Sequence, residues 1–269
     1  MKKENKKYSW REEPWEKFLG EFWDKRKTDV DFVEYDKKDL EKFLSQYTKS
    51  GQGEIRTFHY EHEKLKAVKK RNVSKIPISR SKWRIIKASP VLNFVEPKLG
   101  GKFELRNELT EGMIIGIKET FNEKTNPGET TLLAIANHVG LIADFYNLKE
   151  NGILFTGGRQ RAGINLIIDG HNTDMEKAQI EIDGGFEWAN TVVIVEMKST
   201  FKQQAFDMNQ ALIPMLKWKK LLKNKKVNSL VLLAETTKTD IEYWAFDLLE
   251  DEKTKMRINK SKKYIINVN

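Results

Sequence analysis

Residues 180–198, IEIDGGFEWANTVVIVEMK, constrain the fold more than any other part of the chain. The run from Thr191 to Lys198 is rich in β-branched residues and closes on two charges. Such side chains pack well on a pleated surface, so the run reads as a strand. Strand side chains alternate faces, so Glu196 and Lys198 point the same way, above Val192 and Ile194. Upstream, Glu181 and Asp183 share one face, and Ile180 and Ile182 share the other. With Gly184-Gly185 read as the intervening turn, two paired or neighbouring strands bring Asp183, Glu196 and Lys198 together at their ends. Two carboxylates and an ammonium so placed can hold Mg²⁺ and activate a water against a phosphodiester.

A Glu-x-Lys at a strand end often does no more than face water. Here an acidic strand end lies upstream, a basic and polar helix follows, and the charges stand where a buried face opens. A rigid strand also fixes both side chains relative to one phosphate more tightly than a loop does.

The rest of the composition narrows the chemistry. The absence of cysteine excludes disulfides, zinc–thiolate sites and thiol nucleophiles. The four histidines are at 59, 62, 138 and 171, and only His59 and His62 are spaced as a metal pair. Neither GxSxG nor GxxxxGK[ST] occurs, so any metal is expected to be a hard cation held by oxygen. The net charge of +9 favours a polyanionic partner. Ten basic residues lie within 61–90, six within 217–226 and six within 253–263. A lysine-rich, solvated surface accounts for any one cluster; three of them beside a metal-nuclease pattern suggest a nucleic-acid surface. Lys69, Lys70, Arg71, Arg80, Lys82 and Arg84 are the candidate contacts of the first cluster. Arg159 and Arg161 lie in a Gly-rich stretch, 157–163, that reads as a loop able to approach phosphate or as a plain turn. No apolar run is long enough to cross a bilayer, and none follows the basic start of the chain, so a cytoplasmic protein without membrane contact is expected.

Along the chain, Trp15, Phe18, Leu19, Phe22 and Trp23 form one helical stripe, with Pro14 at a helix start. Residues 39–47 read as a second helix and 76–86 as a strand, which is compatible with a winged-helix-like module or an irregular extension. A domain boundary is expected within 88–112, dividing the chain into 1–110 and 111–269. Beyond it come a helix over 131–149, strands over 152–156 and 163–169, the strands of Glu181 and Glu196, and a helix over 201–222 interrupted by Pro214. Strands over 229–234 and 242–247 follow. The alternation predicts an α/β or α+β domain whose sheet is packed by helices.

Asp183 followed by Glu196-Met197-Lys198 resembles the PD-(D/E)xK nuclease core, which includes most type II restriction endonucleases. Ile182 stands where that motif has proline. The segment 206–218, with Gln210, resembles the helix after the Glu-x-Lys strand, and residues 53–56 and 76–80 resemble the region before the core. The resemblance implies a mixed central sheet flanked by helices, with a mainly helical N-terminal region for DNA binding or dimerisation. It implies Asp183, Glu196 and the Met197 backbone carbonyl as Mg²⁺ ligands, and Lys198 as water-orienting base or electrostatic partner. Glu181, Glu187 and Gln210 become auxiliary candidates, each equally at home on a solvated surface; Asp169 and His171 read as an ordinary turn. The implied activity is sequence-specific cleavage of double-stranded DNA to 5′-phosphate and 3′-hydroxyl ends, by a homodimer or with a partner nuclease subunit. The alternatives are a repair, junction-resolving or exonucleolytic enzyme on the same core, or a DNA-binding protein with a decayed core. The presence of Asp183, Glu196 and Lys198 together speaks against decay.

Overall fold

The structure, a computed structural model, describes residues 12–27, 32–46, 66–79, 81–87, 91–92, 94–104, 127–168, 171–199, 206–237, 239–250 and 256–267. The expectations for His59, His62, Arg80 and Asp169 lie outside them. The chain divides into two compact units. One comprises Met1–Phe94, Arg161–Gln179 and Gln204–Asn209; the other comprises Val95–Gln160, Ile180–Gln203 and Gln210–Asn269.

The first unit is built from α1 (Glu12–Phe22), β1 (Phe32–Asp36), α2 (Lys37–Leu44), α3 (Lys66–Arg71), β2 (Val73–Pro77) and β3 (Lys82–Lys87). Trp15, Phe18 and Leu19 recur at helical spacing and are buried, because one side of α1 must cover the sheet. Together with Trp23 they pack with Tyr35, Leu40, Ala67, Val68, Val73 and Ile85. The sheet order is β1-β3-β2, antiparallel throughout. The expected strand over 76–86 is therefore two antiparallel strands, and between them Ser79 Oγ accepts the backbone N–H of Ser81 and Lys82. Among the described residues of this unit, three helices accompany a three-stranded sheet. This unit also holds the hairpin of β7 (Asn165–Ile168) and β8 (His171–Asp174), and the pairing of β4 (Val91–Leu92) with β11 (Phe206–Asp207).

Two cations expected to contact nucleic acid are committed inside this unit. Arg84 is only 7% exposed; it donates to Glu34 Oε1 at 2.6 Å, Thr173 Oγ1 at 2.9 Å and the Asn172 carbonyl at 3.1 Å. It thereby ties β3 to β1 and to β8. Arg71 donates to both carboxylate oxygens of Glu16 at 2.8 Å and to Asp24 at 2.6 Å. Those hydrogen bonds hold the Glu16 and Asp24 carboxyls below their ordinary values. Arg84→Ala is expected to destabilise the protein by about 2–4 kcal/mol, since it removes the one buried cation that donates to Glu34, Thr173 and the Asn172 carbonyl together. Urea unfolding measures this; an unchanged midpoint would return Arg84 to the exposed surface.

The second unit is a seven-stranded mixed sheet, ordered β5-β14-β13-β12-β10-β9-β6, flanked by helices. Its elements are β5 (Leu99–Glu104), α4 (Glu129–His138), α5 (Leu141–Tyr146), β6 (Ile153–Arg161), β9 (Gln179–Glu187), β10 (Thr191–Lys198), α6 (Asn209–Leu221), β12 (Lys226–Thr236), β13 (Asp240–Glu250) and β14 (Met256–Asn267). β9 and β10 form an antiparallel hairpin, while β10 and β12 run parallel with α6 as the crossover that parallel pairing requires. Val193, Val195 and Met197 face α4 and α5 through Leu132, Leu133, Ala136 and Phe145. Val192, Ile194 and Glu196, on the opposite face, are buried too. A strand covered on both sides reads as a continuous apolar run, which is what this stretch of sequence is.

Several elements differ from the expectation. The first segment of the first unit ends at Phe94, inside the expected 88–112, but that unit also takes in Arg161–Gln179 and Gln204–Asn209, while β5 pairs with β14 in the large sheet. The helix over 131–149 splits into α4 and α5 at Gly140, whose φ of +78° suits a residue without a Cβ. The helix over 201–222 begins only at Asn209 and continues through Pro214, at the loss of one helical hydrogen bond. Gly184 and Gly185 lie within β9 and make no turn; a Cβ would come within 2.7 Å of Leu133 and 2.4 Å of Thr156. The Gly-rich stretch from 157 onward is likewise mostly the end of strand β6, not a loop. Much of the basic cluster over 253–263 is β14. There Lys262 pairs with Asp144, Lys263 with Glu96 and Glu242, and Lys260 donates to the Phe145 carbonyl.

Candidate active site

The hairpin sets the geometry. Val195 pairs with Gly184, so Asp183 and Glu196 are the next residues on the two strands. The Asp183 carboxylate accepts the backbone N–H of Met197 at 2.7 Å, which ties the middle of β9 to the end of β10 just beyond their last paired residues. Lys198 Nζ lies 2.8 Å from Glu196, 3.8 Å from Asp183 and 3.6 Å from Glu129, and it donates to the Met197 carbonyl at 2.8 Å. The three residues singled out in the sequence therefore meet, around one ammonium. Glu129 joins them from the first turn of α4. Sequence reasoning missed it: an acid in a helix's first turn reads equally well as a complement to the helix dipole, and only the packing of α4 on the sheet brings it to Lys198.

The charge balance is uneven. Three carboxylates surround one lysine, and Glu196 is only 8% exposed. Burial pushes its carboxyl up to about 8 against the opposing pull of Lys198, while Asp183 and Glu129 add to the rise. Burial by itself lowers the Lys198 ammonium, but Glu196, Asp183 and Glu129 outweigh it and hold the group above its ordinary value. The lysine is thus a fixed positive charge, and the surplus negative charge is carried by Glu196 and its neighbours. In the absence of other cations, that surplus is relieved by a proton.

The donor set suits Mg²⁺ as a partly hydrated ion. Among the described residues no three His, Asp or Glu side chains form a ready-made metal cage. Mg²⁺, however, commonly takes one or two carboxylates and completes its octahedron with water and phosphate oxygens. Asp183, Glu196 and the Met197 carbonyl are hard oxygen donors of that kind, and the surplus buried charge favours a cation beside them.

The auxiliary candidates separate. Glu181 shares Asp183's face, but it is exposed and 3.7 Å from Arg159 in an ion pair on the β6 edge. Glu187 is four residues along β9 from Asp183, at the turn end of the hairpin, and pairs with Lys225. Gln210 is half-buried in the first turn of α6, the helix that follows the Glu-x-Lys strand. Arg161 is exposed at the end of β6. Among the first basic cluster, Lys69, Lys70 and Lys82 are exposed, whereas Arg71 and Arg84 are held internally as described above.

Residues 106–265 match a family described as "Domain of unknown function (DUF6997)". No curated protein and no solved structure matches the chain. Among the described residues no helix is long and apolar enough to cross a membrane.

Proposed function

We propose that this chain, which belongs to the DUF6997 family, is a Mg²⁺-dependent endonuclease with a restriction-endonuclease-like core that cuts duplex DNA. One observation carries the reading: a half-buried ammonium, Lys198, ringed by Asp183, Glu196 and Glu129 at the end of a rigid strand. The mixed sheet flanked by helices and the basic charge of the chain support it.

In this reading Asp183, Glu196 and the Met197 carbonyl hold the cation. When bound, Mg²⁺ supplies positive charge to the phosphate and lowers the pKa of nearby water. The side chains do the rest. Lys198 stays protonated and so has no lone pair with which to act as base in this state; it neutralises the charge that grows on the phosphate oxygens. The Met197 N–H holds Asp183 in one rotamer, so the carboxylate needs no reorganisation as substrate arrives. Glu129 keeps Lys198 aimed at the strand end. The products are 5′-phosphate and 3′-hydroxyl ends, and cutting both strands of a symmetric site takes two protomers about a two-fold axis.

Incubating the purified protein with a sequenced supercoiled plasmid and Mg²⁺, then sequencing the ends, tests the proposal. Discrete fragments with a common end sequence are expected. End resection or structure-dependent nicking would move the chain to the repair and junction-resolving class, and intact DNA under all divalent metals would remove the nuclease reading.

A further inference from the structure

Strand β6 ends the seven-stranded sheet, and among the described residues it has a neighbour, β9, on one side only. Its first five residues, Ile153-Leu-Phe-Thr-Gly157, carry no charge and no proline. Charge and proline are the usual devices that keep an edge strand from pairing with another chain. The opposite edge strand, β5, has the exposed Lys102 and a register shift in its pairing with β14. Ile153 and Leu154 are consecutive and so point to opposite faces, yet they are 75% and 61% exposed. Leu221, at the end of α6, is exposed as well. It lies three residues beyond Trp218, whose ring meets Phe155 edge-on at 5.0 Å. At Gly158 the backbone leaves the extended region, with a φ of +73°. The straight, open part of the edge is therefore 153–157.

We propose that a second copy of the chain joins at this edge, β6 against β6 in antiparallel register, centred on Phe155. The choice of a second copy rests on the nuclease reading above, which calls for two sites about a two-fold axis. A strand edge offers its own copy the same N–H and C=O groups that the copy offers back, so the contact is self-complementary and closes on itself. Five uncharged residues met by the same five bring no like charges opposite one another. The segment 153–157 overlaps its reversed copy completely only when Phe155 faces Phe155. The two-fold axis of such a ladder stands perpendicular to the sheet. The two large sheets then continue as one, and both active sites open on the same face. Gly157 lies against Asp183, since a Cβ there would come within 3.4 Å of the Asp183 carbonyl oxygen. Three strand spacings across and four residues along therefore put the two Asp183 backbones on the order of 20 Å apart. One duplex lying on that face can meet both.

Sedimentation equilibrium of the full-length protein in EDTA, without DNA, tests this apart from cleavage. Wild type is expected to be a dimer at micromolar concentration, and I153K/L154K to raise the dissociation constant at least about tenfold. Both side chains are exposed, so the fold should survive the change. A double variant that melts below wild type is replaced by L154K alone, with the same expectation. The chain has no cysteine, so single introduced cysteines locate the contact. Directly opposite residues of an antiparallel ladder lie within disulfide reach. Under mild oxidation, cross-linking should peak at F155C, fall away at I153C and T156C, and stay at background at L99C on the other edge. A wild-type protein that is monomeric throughout overturns the proposal. So does a dimer untouched by I153K/L154K, or one that cross-links best at L99C. Cleavage of plasmid in Mg²⁺ is scored separately. A dimer that the lysines break, in a protein that never cuts, keeps the interface and removes the nuclease. Cleavage of both strands by a chain that stays monomeric does the reverse.

Discussion

Glu196→Gln is expected to reduce cleavage by a factor on the order of 10³ or more while making the metal-free protein more stable at and above neutral pH. The two effects share a cause. Glu196 is buried among Asp183, Glu129 and Lys198, and its carboxyl titrates at about 8 in the fold against an ordinary 4.5. The folded state therefore binds this proton more tightly than the unfolded state does. The group's favourable contribution is complete below 4.5 and is lost as pH rises from there through about 8. Across that window the loss amounts to about 3–5 kcal/mol. Glutamine keeps the shape, carries no charge at any pH, and leaves Lys198 facing Asp183 and Glu129. The stability difference between variant and wild type should thus be small at pH 5 and grow toward pH 9 in EDTA, as followed by urea unfolding. Near-normal cleavage by the variant would sink the site. A stability difference that ignores pH would instead mean that Glu196 carries no buried charge.

Lys198→Met should act in the opposite direction on stability and the same direction on activity. It removes the one ammonium among three carboxylates, and breaking a buried pair from one side costs about 3–5 kcal/mol because the remaining charge is uncompensated. The contribution of Lys198, held above its ordinary 10.5, is fully present below that value and is lost as pH climbs from there through its raised value. The whole loss should therefore appear near pH 9, above the point at which Glu196 takes up its proton. Acidification should soften it, since Glu196 then takes up a proton. Glu196→Gln in the Lys198→Met background should recover most of the stability and none of the cleavage, and the double-mutant cycle reads the coupling directly. Millimolar Mg²⁺ should raise the melting temperature of Lys198→Met if the carboxylates hold a cation, because a ligand of the folded state stabilises it by mass action. A Lys198→Met protein that melts like wild type in EDTA would show that the lysine is not the counter-charge of this cluster.

What could be read in the sequence was whatever depends on spacing along the chain. The alternation from Thr191 to Lys198 placed Glu196 and Lys198 on one face, and the acid-apolar alternation ending at Asp183 identified its partner strand. Trp15, Phe18 and Leu19 showed the buried side of α1 for the same reason. Periodicity is a property of the local backbone and needs no knowledge of neighbours.

Partner choice is not local, and it was decided only in the tertiary structure. Arg71 and Arg84 look like any other members of a basic run, yet they are internal because Glu16, Asp24, Glu34 and Thr173 come to meet them from distant segments. Gly184 and Gly185 have the composition of a turn, but it is the close approach of Leu133 and Thr156 that calls for glycine there. Glu129 precedes Lys198 by more than sixty residues, and nothing in its own surroundings distinguishes it from a helix-start acid. By itself, then, the sequence determined which residues share a strand face and which elements are amphipathic, since both follow from backbone period. Only the fold decided which charges neutralise one another and which remain for a ligand, because that depends on distances across the packed sheet and on water being excluded from around Glu196.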